Sequence, residues 1–323
     1  MPPDLAGRLL ARERDAVADA LNLVDDARPE RRAAALELLE ALERGLPFPG
    51  PPRVGLTGAP GAGKSTLLDA LVRTLRERGE SVGVVAVDPS SRRSGGALLG
   101  DRIRLRSRAS DEGVFFRSMA ARERLGGLAE ATRASMLVLC AVFDRVFVET
   151  VGVGQSESDV SSLTDTTVYV AQPGAGDMLQ FMKAGVLELP DVFAVNKSDL
   201  GAMAARTASE LAAGLGLSQP GQTDWTPPVL QVSARDARGI DALLDALDAH
   251  RDHLEASALA ERRAAGARDW ALETLCLRYG SFGLAAIGGR AALAERLAAE
   301  PLPSAFAAVR SLGTEIEEAL RKA

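Results

Sequence analysis

Two segments carry groups suited to a nucleotide. GAPGAGKST at 58–66 has the form G-x-x-x-x-G-K-[ST], from Gly58 through Gly63 to Lys64 and Ser65. Glycines in such a loop let backbone N–H groups converge on phosphate oxygens. A helix starting there adds the positive end of its dipole. Pro60, Gly61, Ala62 and Thr66 complete the cradle, and Lys64 brings an ammonium to the charge that moves in phosphoryl transfer. NKSD at 196–199 can choose the base, with Asn196 and Lys197 leading to Asp199. A carboxylate there accepts two hydrogen bonds, from guanine's ring N–H and its exocyclic amine. Adenine offers neither donor and would leave the carboxylate unpaired. Together the segments imply GTP and GDP rather than ATP.

Lysine usage points the same way. Of 38 lysines and arginines only Lys64, Lys183, Lys197 and Lys322 are lysine, leaving 38 − 4 = 34 arginines. Two of the four lie in the nucleotide segments, where a compact ammonium and a planar guanidinium are not interchangeable.

Magnesium would need oxygen ligands near the phosphates. Ser65 follows the phosphate lysine, Asp88 ends VGVVAVD, Asp101 lies in SGGALLGDR, and Glu149 ends DRVFVE. Each acid alone reads as a cap or a solvated charge; beside a phosphate loop, together, they read as a metal environment.

These residues need a frame. Short apolar runs at Val54–Thr57, Val82–Val87, Arg145–Val148, Thr167–Ala171, Val192–Val195 and Val229–Val232 alternate with helical stretches, the clearest being Thr66–Arg78 before Gly79. That alternation predicts an α/β fold, a P-loop NTPase with a mostly parallel central sheet covered on both faces. Ligands collect beyond the C-terminal ends of such strands, where Gly58, Asp88, Glu149, Asn196 and Ser233 fall. Residues 1–50 read as a helical arm ending in PFPGPP, 51–250 as the nucleotide domain, and 251–323 as a second helical arm. Trp270, Leu272, Leu275 and Leu277 give that second arm an apolar surface suited to a homodimer.

Composition excludes several classes. A net charge of −6 over 323 residues gives no reason to expect nucleic acid or an anionic membrane, and 4% aromatics argues against stacking on single strands. No apolar run approaches the ~20 residues that span a bilayer. With no secretory pattern at the start, a cytoplasmic protein is expected. Cys140 and Cys276 read as small buried hydrophobes, and His250 and His253 as members of a solvated helix face.

Further blocks carry a family resemblance along the whole chain. VDPSS (87–91), SGG…LGDR (94–102), LGGLA (125–129), ETVGVGQSE (149–157), PGAGDMLQ…K (173–183) and NKSD resemble the MeaB-type, methylmalonyl-CoA mutase-associated GTPases, once labelled ArgK-like transport kinases. The group sits beside the metallochaperone GTPases in the SIMIBI class. The resemblance implies that Asp88, Asp101 and Glu149 serve Mg²⁺ and that 152–160, with Gly152 and Gln155, is a switch. It implies a third switch over 172–188, with Asp177, Lys183 and Glu188, that communicates with the mutase. It implies that Ser233-Ala234 is a second base-contacting loop whose backbone N–H reads guanine's carbonyl. Finally, it implies helical arms that build a homodimer and a partner that is an adenosylcobalamin-dependent acyl-CoA mutase, whose cofactor loading and protection GTP hydrolysis times. A metallochaperone GTPase or a transport-associated kinase is the alternative class; NKSD speaks against ATP.

The resemblance has departures. Arg92-Arg93 stands where the family usually has a proline, and Met119–Arg124 replaces a Pro-Thr-Arg-Gly-like stretch. Both are expected in loops near the phosphates. Val153 follows Gly152, where Ras-type GTPases place a water-orienting glutamine, so intrinsic hydrolysis is expected to be slow. Gly152 and Lys64 are left as the residues assigned to hydrolysis. The alternating Arg102, Arg104, Arg106 and Arg108 read as a solvated face.

Overall fold

Three helices lead into the sheet: α1 (Leu5–Leu10), α2 (Asp15–Val24) and α3 (Pro29–Gly45). The last begins where Pro29 suits the first turn and Glu30 faces the positive dipole end. The structure, a computed structural model, describes residues 4–26, 28–89, 111–121, 127–150, 156–174, 190–218, 224–299 and 304–322.

The apolar runs become β1 (Arg53–Thr57), β2 (Val82–Pro89), β3 (Val114–Ala121), β4 (Arg145–Glu149), β5 (Thr166–Ala171), β6 (Val192–Val195) and β7 (Val229–Gln231). They form one sheet in the order β3-β2-β4-β1-β5-β6-β7. β1 pairs in parallel with β4 and β5, β2 with β4, β5 with β6, and β6 with β7. Register sets Leu56 beside Glu149 and Thr57 beside Tyr169, so adjacent strands end at the same level. Between strands run α4 (Lys64–Glu77), α5 (Gly127–Cys140), α6 (Ser156–Leu163), α7 (Ala202–Ser218) and α8 (Ile240–His253). The chain closes with α9 (Ala256–Ala285), interrupted at Gly280 with φ 61° and ψ −177°, then α10 (Gly289–Ala299) and α11 (Ala305–Lys322).

The chain divides into two compact units. One holds Pro51–Ala120 and Asp144–Leu259. Side-chain alternation along its strands builds a core on each face of the sheet. Leu56, Val84, Phe147, Val168 and Val192 cluster with Leu67, Leu71 and Leu243. Tyr169, Phe193 and Val195 cluster instead with Ala204 and Leu211 of α7.

The other unit joins Met1–Gly50, Ala121–Phe143 and Ala260–Ala323. The Trp270 and Phe306 rings lie 4.8 Å apart, and the Arg133 guanidinium stands 5.1 Å from the Trp270 ring. Glu43 of α3 accepts from Arg133 at 3.3 Å and from Ser304 Oγ at 2.5 Å. Arg310 donates to Glu40 at 3.0 Å.

Several expectations need correction. The division at 51–250 gave α5 to the nucleotide domain; Arg133, on Glu43 and Trp270, ties that helix to the helical unit instead. Trp270 and Leu275 are buried at 4% and 0% within this one chain, Trp270 against Phe306 of α11 and Arg133 of α5, and so do not call for a second copy. Met119–Ala121 belong to a strand missed in the sequence, not to a loop. β3 is an edge strand, half-buried from Val114 to Ser118, so its apolar run is broken by Arg117 and Ser118. His250 is no solvated residue: it is 2% exposed, with Nδ1 2.8 Å from Thr166 Oγ1 and Nε2 3.3 Å from Asp191. Polar atoms at the starts of β5 and β6 need such a partner. His253 is exposed, its ring 5.2 Å from Trp225. Cys140 is buried, whereas Cys276 is half-buried with Arg290 Nη1 3.1 Å from its sulfur. Among the described residues no helix is long and apolar enough to cross a membrane.

Candidate functional site

The loop between β1 and α4 is shaped by glycine. Gly58 takes φ 134°, and a Cβ there would stand 2.3 Å from the Val170 carbonyl oxygen. Gly63, at φ 88°, caps α4, and a Cβ on it would meet Asn196 Nδ2 at 2.6 Å. Both positions therefore require the residue they have. No side chain caps α4 and its first turn holds no acid, so its positive end is left for an anion.

Lys64 is buried, its Nζ donating to the carbonyls of Gly58 at 2.7 Å and Ala59 at 3.2 Å. The ammonium is thus held inside its own loop, where phosphate oxygens would be stronger acceptors. Ser65 Oγ donates to Glu149 Oε1 at 2.7 Å. The hydroxyl and the buried carboxylate, from α4's first turn and β4's end, so form one oxygen pair. That donor set fits magnesium, which takes hard oxygens and keeps waters. Among the described residues no group of three or more His, Cys, Asp or Glu side chains could hold a metal. Asp88 is the last residue but one of β2, one strand away, where Ala86 registers with Glu149. The Asp88 side chain lies outside the described residues, as do Asp101, Gly152, Gln155, Asp177, Lys183 and Glu188. Arg92-Arg93 and the arginines from 102 to 108 also lie outside them.

The second segment meets the first. Asn196, 2% exposed, follows β6; its Nδ2 donates to the Ala62 carbonyl at 2.9 Å and the Gly63 carbonyl at 3.3 Å. Its Oδ1 accepts the Ala234 N–H at 3.2 Å. One amide therefore staples the phosphate loop to the loop after β7. Pro60 and Gly61 are exposed at the loop's tip, and Thr66 sits in the first turn of α4.

Lys197, left-handed at φ 59°, donates through Nζ to the Gly61 carbonyl at 2.8 Å and to Gln172 Oε1 at 3.2 Å. Asp199 Oδ1 accepts from Ser233 Oγ at 3.1 Å, and Oδ2 stands 3.2 Å from Arg235 Nη2. The Ala234 N–H, expected to face guanine's carbonyl, thus serves Asn196 in this structure.

Two residues of the site are not singled out by the sequence. Gln172 figures there only as the start of a switch, although it anchors Lys197. Arg235 carries no motif, although its place directly after Ser233-Ala234 sets it against the Asp199 carboxylate. A hydrogen bond to Asp236, then the charge of Asp199, hold its guanidinium pKa above the ordinary arginine value.

The phosphate loop, the Asp199 carboxylate and the Ser65–Glu149 oxygen pair so converge on one sheet edge. Residues 17–277 match the family model described as methylmalonyl-CoA mutase-associated GTPase MeaB. The chain belongs to the MeaB family. It is a GTPase, and guanine nucleotide is what a MeaB-family GTPase binds. Other matches agree. The chain is 44% identical to a GTPase-family protein of Pyrococcus abyssi over 267 residues, covering 81% of this chain and 80% of the relative. It is 40% identical to the Escherichia coli GTPase ArgK, over 77% of this chain and 76% of that one. The mouse mitochondrial methylmalonic aciduria type A homolog is 36% identical over 81% of this chain and 66% of its own length. Among solved structures, the LAO/AO transport system kinase aligns with TM-score 0.69 at 30% identity, covering 92% of this chain and 96% of that one.

Proposed function

We propose that this MeaB-family GTPase binds GTP with Mg²⁺ and uses its hydrolysis to gate cofactor loading and protection of an adenosylcobalamin-dependent methylmalonyl-CoA, or related acyl-CoA, mutase in the cytoplasm. The observation that carries the nucleotide half is the Asn196 staple, which holds the phosphate loop and the base loop in one frame. Lys64 and the N–H groups opening α4 hold phosphate oxygens and offset their charge. Ser65 and Glu149, with Asp88 and Asp101, would hold magnesium, which supplies charge stabilisation at the phosphates. Asp199 selects guanine. Val153 orients no water, so the isolated chain turns over slowly and the mutase accelerates it by ordering 152–160 and 172–188.

The mutase half rests on the family match over 17–277 and on the relative's name in mouse. Mixing the protein with a candidate mutase, with and without a non-hydrolysable GTP analogue, tests it. The expected result is co-purification that depends on the nucleotide, and faster GTP hydrolysis when mutase is added. Hydrolysis indifferent to every cobalamin-dependent acyl-CoA mutase tried would remove this half and leave the nucleotide half standing.

We further infer that the chain forms a homodimer through the exposed remainder of its C-terminal helices. With Trp270 and Leu275 covered, Leu277 at 45% exposure and Phe282 at 82% are, among the described residues, the large apolar side chains this arm still offers to a second copy. Leu277→Asp with Phe282→Asp should halve the mass seen by light scattering; an unchanged mass would place the interface elsewhere.

A further inference from the structure

We propose that Arg235 competes with guanine for Asp199 and thereby sets how tightly the base is held. The inference rests on the reading of Asp199 as the base-selecting carboxylate. Asp199 is a sheltered acceptor, its side chain 15% exposed, while the Arg235 side chain is 74% exposed at the rim. Oδ1 takes the Ser233 hydroxyl at 3.1 Å, and Oδ2 faces Arg235 Nη2 at 3.2 Å. Guanine presents two N–H donors in one plane and needs both carboxylate oxygens. The guanidinium and the base would share Oδ2, as Ser233 and the base would share Oδ1, but the cation also draws on the carboxylate charge, so each weakens the other's hold.

Arg235 is also anchored elsewhere. Its Nε donates to Asp236 Oδ1 at 3.1 Å. Asp236 is itself placed by its backbone N–H, which donates to Ser233 Oγ at 3.2 Å, and by Arg238 Nη2 on Oδ2 at 3.3 Å. A guanidinium has five donors in a fixed fork, so one cation can serve both acids. Giving up Asp199 leaves the bond to Asp236 intact, and the side chain stays beside the loop. Its effect is therefore adjustable and modest, as an ion pair with one exposed partner must be: about two- to fivefold in affinity.

The same geometry makes the effect specific to the base. Hypoxanthine lacks the exocyclic amine, presents one N–H and needs one carboxylate oxygen. It leaves the other to Arg235. Removing Arg235 should then help a guanine nucleotide more than a hypoxanthine nucleotide, whereas a role at the phosphates would touch both alike.

Calorimetric titration of the full chain with GDP, IDP and ADP, in the presence of Mg²⁺, decides the matter. Arg235→Met keeps the apolar stem and removes the charge; at 74% exposure it leaves the core untouched. It should tighten GDP about two- to fivefold and IDP less than twofold, widening the preference for GDP. Arg235→Lys keeps the charge and should stay within about twofold of the parent for both. Unchanged or weaker GDP binding in Arg235→Met, or an equal gain for GDP and IDP, overturns the competition while the parent still prefers GDP to ADP. A parent that binds GDP and ADP alike instead removes the reading of Asp199, and this inference with it.

Discussion

Ser65 Oγ lies 2.7 Å from Glu149 Oε1, so the residue after the phosphate lysine meets the last residue of β4. The contact spans two strands: β1 leads through the phosphate loop into α4, whose first turn carries Ser65, and β4 pairs with β1 so that Leu56 lies beside Glu149. A strand-pairing register thus brings a hydroxyl and a carboxylate to one place.

Ser65→Ala removes the hydroxyl and leaves Lys64 and the loop glycines in place. A charge-assisted hydrogen bond is worth about 1.5–3 kcal/mol, and 1.4 kcal/mol is tenfold in affinity. The Mg²⁺ concentration that half-saturates GTP hydrolysis should rise at least about tenfold. Chelation of Mg²⁺ should stop turnover in the parent. A Mg²⁺ titration of the initial rate checks both; an unchanged midpoint would take Ser65 out of the metal environment.

Asp199→Asn exchanges an acceptor for a group that also donates. A buried polar group left without its hydrogen bond costs about 1–3 kcal/mol, so GTP should weaken by about 5- to 150-fold. Xanthosine triphosphate, whose base edge suits an amide, should gain. Competition between the two nucleotides for the variant measures the exchange, and equal ATP and GTP affinity in the unmodified protein would sink the reading of this residue.

Asn196→Ala tests the staple. The side chain is 2% exposed and makes three hydrogen bonds to two loops. Its loss should destabilise the fold by about 2–3 kcal/mol, because the carbonyls of Ala62 and Gly63 and the Ala234 N–H lose a partner. Urea unfolding should show a lower midpoint with an unchanged slope, and nucleotide affinity should fall with it.

The sheet was legible because its central strands are nearly continuous apolar runs, each ending at a residue with chemistry. The glycines at 58 and 63 were legible for a related reason: the motif needs a chain that takes positive φ, and both do. β3 was not, since an edge strand buries one side and tolerates Arg117 and Ser118 in its run. Nor was His250, because whether a helix-end histidine faces water depends on Thr166 and Asp191, remote in sequence. The pairing of Trp270 with Phe306 and Arg133 was hidden likewise, since three separate stretches of chain contribute to it.

Trp270→Ala probes that pairing. Removing a buried aromatic costs about 3–5 kcal/mol, and here the Arg133 guanidinium also loses the ring it covers. Thermal or urea unfolding should register the loss while the protein's mass by light scattering stays unchanged. A tryptophan that served only a second copy would behave the other way, with stability kept and mass halved. Cutting the chain near residue 255 should accordingly expose the partners of Trp270 and Leu275 and promote aggregation, rather than release a well-behaved monomer.

Substitutions at Gln172 and Lys183 test whether nucleotide binding can be separated from signalling to a mutase. Gln172 ends the path out of β5 and accepts from Lys197 Nζ, which also holds the Gly61 carbonyl. The first residue of the 172–188 segment is therefore tied to the phosphate loop through one ammonium. Gln172→Ala leaves Lys197 on Gly61, so GTP affinity should change only a few-fold. If 172–188 reports the nucleotide state, its effect should emerge in mutase-stimulated hydrolysis. Lys183→Ala acts further along the same segment and should likewise keep GTP affinity within a few-fold while weakening stimulation and GTP-dependent control of cobalamin transfer. Affinity by titration and stimulation by added mutase, measured on the same preparations, resolve the alternatives. A collapse of GTP affinity in Lys183→Ala would put that lysine in the nucleotide site. Normal stimulation and normal transfer in both variants would make 172–188 a plain connection between a strand and the next element.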